Sequence, residues 1–447
     1  MMKGHLLFIL TSIVYCGILS CNQSNGHAYT DIEVTHKWAE MSLYITKNTP
    51  ANSPTFASRC LGYIGLTMYE SIVPGFNQFQ SLSGQLNGLQ NLPGIESGKE
   101  YSWPVSLNAA QAEIIRKMYI QTSDSNKIKI DSLEQTVFCF YKRQLKKEVL
   151  NRSVLFGRAV ADSIFHWSLT DGGHRGYLNN FDKKRINPQF PGSWKPPLYA
   201  QSFSHYPLHP HWGKNRTFVK QNMQMDTPVM IRFDTTRTSP YYKQFEAVYN
   251  QEKKLTKEQK EIAIYWSDDP EVTFTPGGHS YYLAGRLLQA ANADMIHASV
   301  VYAQTGMAIA DAFINCWKWK YIFFAERPNT FIPEHIDKNW ESFWPDPPFP
   351  SFPSGHAFQA GAAAAVWIAA FGNKLAVSDS AHYGRPRDEL RNTDFVPRHF
   401  DSVSQIANEI AISRFYGGIH TNQDNATGLE AGNRVGDNVI KLNWRKK

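Results

Sequence analysis

Cysteine is scarce: the 447-residue sequence has 5, and Cys16 and Cys21 belong to its N-terminal leader. The remaining Cys60, Cys139 and Cys316 have no zinc or iron–sulfur spacing. They read either as buried thiols or as the source of one disulfide in an oxidising compartment. Long Lys/Arg tracts are also missing, and the net charge of +7 is spread along the chain. Nucleic-acid binding therefore lacks its usual footprint, although a basic anion site suits the same balance. Beyond the leader there is no clean transmembrane run, no internal repeat and no Gly/Ser linker. The sequence is 42% hydrophobic and 13% aromatic, which excludes a disordered chain and supports a sizeable core.

Residues 1–21 combine Lys3, the apolar stretch Leu6 to Leu19, and Ile18-Leu19-Ser20-Cys21. This order marks an export signal and resembles a bacterial lipoprotein box, in which Cys21 becomes the lipidated first residue. Ordinary soluble secretion is the alternative. The expected organisation is a signal peptide over 1–21, a polar tether over 22–35 and one helical domain over 36–447. The expected location is periplasmic or cell-surface, with an outer-membrane lipoprotein as the leading form.

The body reads as all-α. Ala57, Leu61, Ile64, Met68 and Ile72 recur along one helical face. Ser106–Tyr119, Asp131–Thr170, Met295–Phe323, Ala357–Phe371 and Ser402–Tyr416 carry further helical patterns. Thr256 with Gln259 forms a capping box for a helix reaching Trp266. The long intervals Asp171–Pro210 and Asn373–His399 are rich in Gly, Pro and aromatics, as functional loops often are.

Three segments carry oxyanion chemistry. Lys320 and Arg327 lie seven residues apart, and a continuous helix would turn both to one side. Lys offers a movable point charge and Arg a planar fork for oxygens. Pro353-Ser354-Gly355-His356 then opens an Ala-rich helix: Ser354 is an N-cap, Gly355 lets backbone approach an anion, and His356 can manage a proton. The small residues that follow allow close helix packing. Finally, Ser413-Arg414 ends a helix before Gly417-Gly418, and His420 lies one turn before Asp424. That carboxylate can hold Nδ1–H and present Nε2 to a metal or phosphorus centre.

The ordered pattern Lys320…Arg327-Pro328, Pro353-Ser354-Gly355-His356, Ser413-Arg414…His420…Asp424 resembles the signature shared by vanadium-dependent haloperoxidases and the type 2 phosphatidic acid phosphatase superfamily. The resemblance implies the haloperoxidase-like helical bundles, with the anion site in 317–424. It implies vanadate or phosphate oxygens held by Lys320, Arg327, Ser354, Gly355 and Arg414. It makes His420 the axial vanadium ligand or the phosphatase nucleophile, oriented by Asp424, and His356 the acid–base group. Phe349, in Pro347–Phe352, and Trp317 match pocket aromatics of the haloperoxidases. Within Tyr265–Asp269, Asp269 aligns with an aspartate that pairs with the arginine corresponding to Arg414. His279 is a residue at the pocket edge or simply at a helix start.

The leading expectation is a bacterial vanadium haloperoxidase, with vanadate as cofactor and hydrogen peroxide and iodide or bromide as substrates. An exported acid phosphatase working through phosphohistidine is the alternative. A non-enzymatic lipoprotein that sequesters an oxyanion is the third reading. The complete set of candidate catalytic groups weighs against it.

Overall fold

The computed structural model describes residues 29–197 and 204–446. The leader and Cys21 lie outside the described residues. Helix α1 (Asp31–Lys47) starts inside the expected tether. Thr30 and Glu33 form a capping box there, and Val34, Thr35 and Trp38 are buried. Residues 31–35 thus belong to the folded body, because the chain already has an apolar face to bury.

Helices α2 (Pro54–Glu70), α3 (Trp103–Met118), α4 (Asp124–Lys142) and α5 (Lys147–Ser168) follow. The pattern seen over Asp131–Thr170 resolves into two helices that reverse over 143–146, so that both α4 and α5 pack on α3. Next come α6 (Lys220–Met223), α7 (Pro240–Glu252), α8 (Lys257–Tyr265) and α9 (Thr275–Ala290). The Thr256–Gln259 capping box is formed at the start of α8.

The central helix is α10 (Met295–Phe323), a single 29-residue element buried almost all round. Asp294 caps its start by accepting from the His297 amide, and Phe324 ends it with a φ of 46°. It packs against α2 on one side and a C-terminal group on another. After α11 (Pro328–His335), that group comprises α12 (Gly355–Phe371), α13 (Val403–Tyr416) and α14 (Asn422–Ile440). A short antiparallel pair, β1 (Val377–Asp379) and β2 (Arg398–Phe400), interrupts the long loop before α13. The largest apolar core is continuous from α1 to Trp444, consistent with one helical domain. Among the described residues, no helix is long and apolar enough to cross a membrane.

Small residues set the distance between α12 and α14. A Cβ added to Gly432 would lie 2.0 Å from the Phe358 carbonyl oxygen, and one on Gly361 would lie 2.4 Å from that of Leu429. The backbones are therefore in direct contact. This fixes Ser354, before α12, against Asp424 in the first turn of α14: the Ser354 amide donates to the Asp424 carbonyl at 3.0 Å.

Gly432→Ala should lower unfolding free energy by about 1–3 kcal/mol, the usual cost of overpacking a close contact. Urea denaturation measures this directly. An unchanged midpoint would mean that α14 can move away from α12 without loss.

Candidate active site

The site lies where the end of α10, the 347–354 segment and the α13–α14 junction meet. Lys320 is fully buried in the last turn of α10. Its Nζ donates to the carbonyls of Pro350, Ser351 and Pro353 at 2.8, 2.6 and 2.7 Å. Burial, with Arg327 nearby, presses its pKa down to about 7. The carbonyl acceptors pull the other way, since three donated bonds require an ammonium.

Lys320 and Arg327 do not share a helix, contrary to the sequence expectation. The chain leaves α10 at Phe324, and Arg327 is the N-cap of α11. They meet instead through the proline-rich segment. Arg327 Nε donates to the Phe349 carbonyl at 2.9 Å, one terminal nitrogen donates to Ile419 at 2.8 Å, and the other reaches Pro350 at 3.4 Å. Burial also lowers the Arg327 pKa.

Arg414 closes a third side from the last turn of α13. One terminal nitrogen donates to the Trp266 carbonyl at 3.1 Å, while its Nε is buried without a protein partner. Burial lowers its pKa to about 10, against an opposing pull from Asp269. Asp269 lines the same cavity. Among the described residues it makes no ion pair with Arg414 within 4.0 Å, so the expected pair acts through the field rather than by direct contact. Burial raises the Asp269 pKa to about 6.

His420 is 2% exposed, just before α14. Its Nδ1 lies 2.8 Å from Asp424 Oδ2, which also accepts from Ser351 Oγ at 2.6 Å and the Thr421 amide at 3.2 Å. Burial alone would raise Asp424, but the His420 and Ser351 bonds hold its carboxyl below 3.8. Burial presses His420 down to about 3, with Arg327 and Lys320 adding to the effect. A neutral ring with Nδ1–H facing Asp424 leaves the Nε2 lone pair for the cavity.

Ser354 caps α12, with Oγ accepting from the Ala357 amide at 3.4 Å. Gly355 and His356 line the cavity. An added Cβ at Gly355 would meet nothing closer than Trp317, at 3.6 Å. Close approach there is thus a matter of leaving room for an occupant, not of avoiding protein. Burial, then Arg414 and His420, push the His356 pKa well below 6.5, with the nearby backbone of Ser267 and Trp266 opposing. His356 Nε2 is left without a protein partner.

The cavity has a volume of about 730 Å³. Trp317 and Phe349 form part of its wall, with ring centroids 4.9 Å apart. Trp317 is fixed by donating Nε1 to the Leu208 carbonyl at 3.1 Å. His279 does not line this cavity. It is buried in the first turns of α9 between Asp268 and Asp379.

Sequence reasoning missed Ser351 and the Trp266 carbonyl. A serine between Pro350 and Phe352 carries no local signal of its partners, and a carbonyl carries no residue-type signal at all. Three buried cations, a helix N-terminus and the unpartnered Arg414 Nε, His356 Nε2 and Ser267 Oγ match a multiply charged oxyanion. Vanadate fits this donor set, with His420 Nε2 available as a ligand.

The VCPO second helical-bundle domain matches residues 300–445. A crystal structure described as the first bacterial vanadium-dependent iodoperoxidase is similar over 92% of this chain and 96% of its own, with TM-score 0.79 and 29% identity. An apo-type bacterial vanadium-dependent chloroperoxidase matches with TM-score 0.68 and 16% identity, covering 88% of this chain and 94% of that one. The holo-type chloroperoxidase gives 0.63 and 17%, covering 94% of each chain. The two chloroperoxidase likenesses establish the shared helical fold. No curated protein sequence matches this chain.

Oxyanion affinity should fall by up to about tenfold per pH unit above pH 7 as Lys320 loses its proton. Comparing wild type with Lys320→Met cancels the anion's own titration. The affinity ratio should be largest below pH 7 and shrink above it. A ratio constant from pH 6 to 9 would show that Lys320 does not titrate in this range.

Proposed function

We propose that this chain, which is similar in fold to bacterial vanadium haloperoxidases, uses hydrogen peroxide to oxidise halide, with iodide or bromide as the substrate class. The observation that carries the reading is His420, backed by Asp424 and lining one cavity with Arg414, Gly355 and His356, with Lys320 and Arg327 buried beside it and lowering its pKa. Vanadate, when bound, supplies a Lewis-acidic centre that activates peroxide toward halide. The chain's residues hold and neutralise it. Arg327, Arg414, the Ser354 hydroxyl and the Gly355 amide would hold the vanadate oxygens, and Lys320, its three N–H groups committed to carbonyls, would contribute its charge. His420 Nε2 would be the protein ligand, with Asp424 keeping the proton on Nδ1.

His356 has a different task. It lines the same cavity, its Nε2 has no protein partner, and its depressed pKa keeps it neutral and able to accept a proton. It would take a proton from peroxide and return one to the departing oxygen. Trp317 and Phe349 would wall the halide approach and limit the water around it. The likeness to the iodoperoxidase, nearly full length in both chains, supports iodide among the halides.

The same donor set can hold phosphate, with His420 as the nucleophile. Peroxidase and phosphate-ester hydrolysis should therefore be assayed on one vanadate-loaded preparation. His420→Ala should abolish vanadate-dependent halide oxidation and weaken vanadate retention. His356→Ala should retain appreciable vanadate, lower turnover by about 10²–10⁴ and alter its pH profile. Efficient ester cleavage with no halide oxidation by the vanadate-loaded wild type would overturn the peroxidase reading. Full turnover in His420→Ala would overturn the ligand assignment.

We further propose export, with Cys21 as the lipid-bearing first residue of the mature protein. The order of Lys3, apolar run and Cys21 supports it. Mass spectrometry of the mature N-terminus should find a diacylated or triacylated Cys21. An unmodified terminus beyond it would reject the anchor.

A further inference from the structure

A second buried polar cluster reaches the wall of the cavity at Asp268 and extends behind it. His279 Nδ1 is 2.9 Å from Asp268 Oδ2, and its Nε2 is 2.7 Å from Asp379 Oδ2. His279 and Asp268 are 1% and 2% exposed, and Asp379 is fully buried. Two carboxylates offer only acceptors, so both ring nitrogens must carry protons if both contacts are hydrogen bonds. The cluster joins three parts of the chain: α9, the 265–269 segment and β1. Asp379 also accepts from the Tyr265 hydroxyl at 2.8 Å and the Ala381 amide at 2.9 Å.

The 265–269 segment faces the active site on its other side. The Trp266 carbonyl accepts from Arg414, and Ser267 lines the same cavity as His356. Asp268, the next residue, is held at a φ of 50°, a left-handed conformation that a non-glycine residue keeps only when its surroundings enforce it. Its bond to His279 is a side-chain tie at that point.

We infer that His279 is a positioning residue: as an imidazolium clamped between Asp268 and Asp379, it fixes the Trp266–Ser267 backbone that aims Arg414 at the oxyanion. The inference rests on the haloperoxidase reading for what is being aimed. The titratable and charged groups around the ring are Asp268, Asp379, His382, Tyr265 and Tyr282, with Arg385 acting on Asp268. Burial opposes the ring's charge, but the two aspartates outweigh it and bring the pKa to about 10. His382, beside it, is pressed down to about 4, mainly by burial, and donates Nε2–H to the Tyr265 carbonyl at 2.8 Å. Asp268, His279 and His382 also lie close enough to share a metal ion, with ligand atoms within 4.8 Å of one another. A metal would require His279 to give up one proton. The clamp needs no such change.

Histidine-selective ¹⁵N NMR of the wild-type protein should show one ring doubly protonated at pH 8, and His279→Gln should remove that signal. If the variant does not fold, Asp379→Asn should release the same proton. Absence of such a ring overturns the clamp, as does a stoichiometric transition metal that is lost with His279. In folded His279→Gln, vanadate retention measured by elemental analysis should drop about tenfold or more, the scale for loss of a supporting hydrogen bond around a metal centre. The double variant His279→Gln/Asp379→Asn should recover most of it, because the amide introduced on β1 can donate to the one introduced on α9, which in turn donates to Asp268. Unaltered retention in the single variant, or no recovery in the double, overturns the positioning role. If wild type retains no vanadate, the functional reading fails separately. A crystal structure of His279→Gln then decides the positioning: the Arg414–Trp266 bond should be lost, and its persistence overturns the inference.

Discussion

Positive charge kept away from water is the constraint around which this protein is arranged. Lys320, Arg327 and Arg414 are at most 1% exposed. Each would be costly to bury alone, because a desolvated cation loses several kcal/mol of hydration. The chain offsets that cost with carbonyl oxygens, converging on Lys320 and Arg327 from the 349–353 segment and on Arg327 and Arg414 from Ile419 and Trp266. Neutral dipoles stabilise the cations without cancelling their charge. The cavity therefore keeps a positive field for an anion, as a cage of direct carboxylate pairs would not.

The histidines show the same physics with different outcomes. His420 and His356 are driven toward neutrality by burial first and by neighbouring positive charge second, so each can present a lone pair. His279 faces two aspartates and is driven the other way. Position alone gives three identical side chains different protonation.

Rigidity comes from close helix packing rather than from the site's own bonds. Gly361 and Gly432 bring the α12 and α14 backbones into contact, and this contact sets the spacing between Ser354 and the His420–Asp424 pair. Loops supply most of the remaining groups, but each is tied to a helix. Trp317 on α10 anchors to Leu208, and Arg327 reaches across to Ile419. A site on loops can thus hold its geometry.

By itself, the sequence determined the helical class, the N-cap at Ser354, the span of α10 and the residue types gathered at the site. These follow from short-range rules: apolar periodicity, capping chemistry and the one-turn spacing of His420 and Asp424. It misled at Lys320 and Arg327, where seven residues suggested one helical face but Phe324 turns the chain out of α10. Ser351 and the Trp266 carbonyl had no local signal, since their roles depend on partners far away in sequence. The tertiary structure also decided that Asp269 acts on Arg414 at a distance and that His279 sits behind the pocket wall rather than at its edge. Burial and the groups packed around each side chain together decide its charge state, and both belong to the assembled core, which no single segment of sequence encodes.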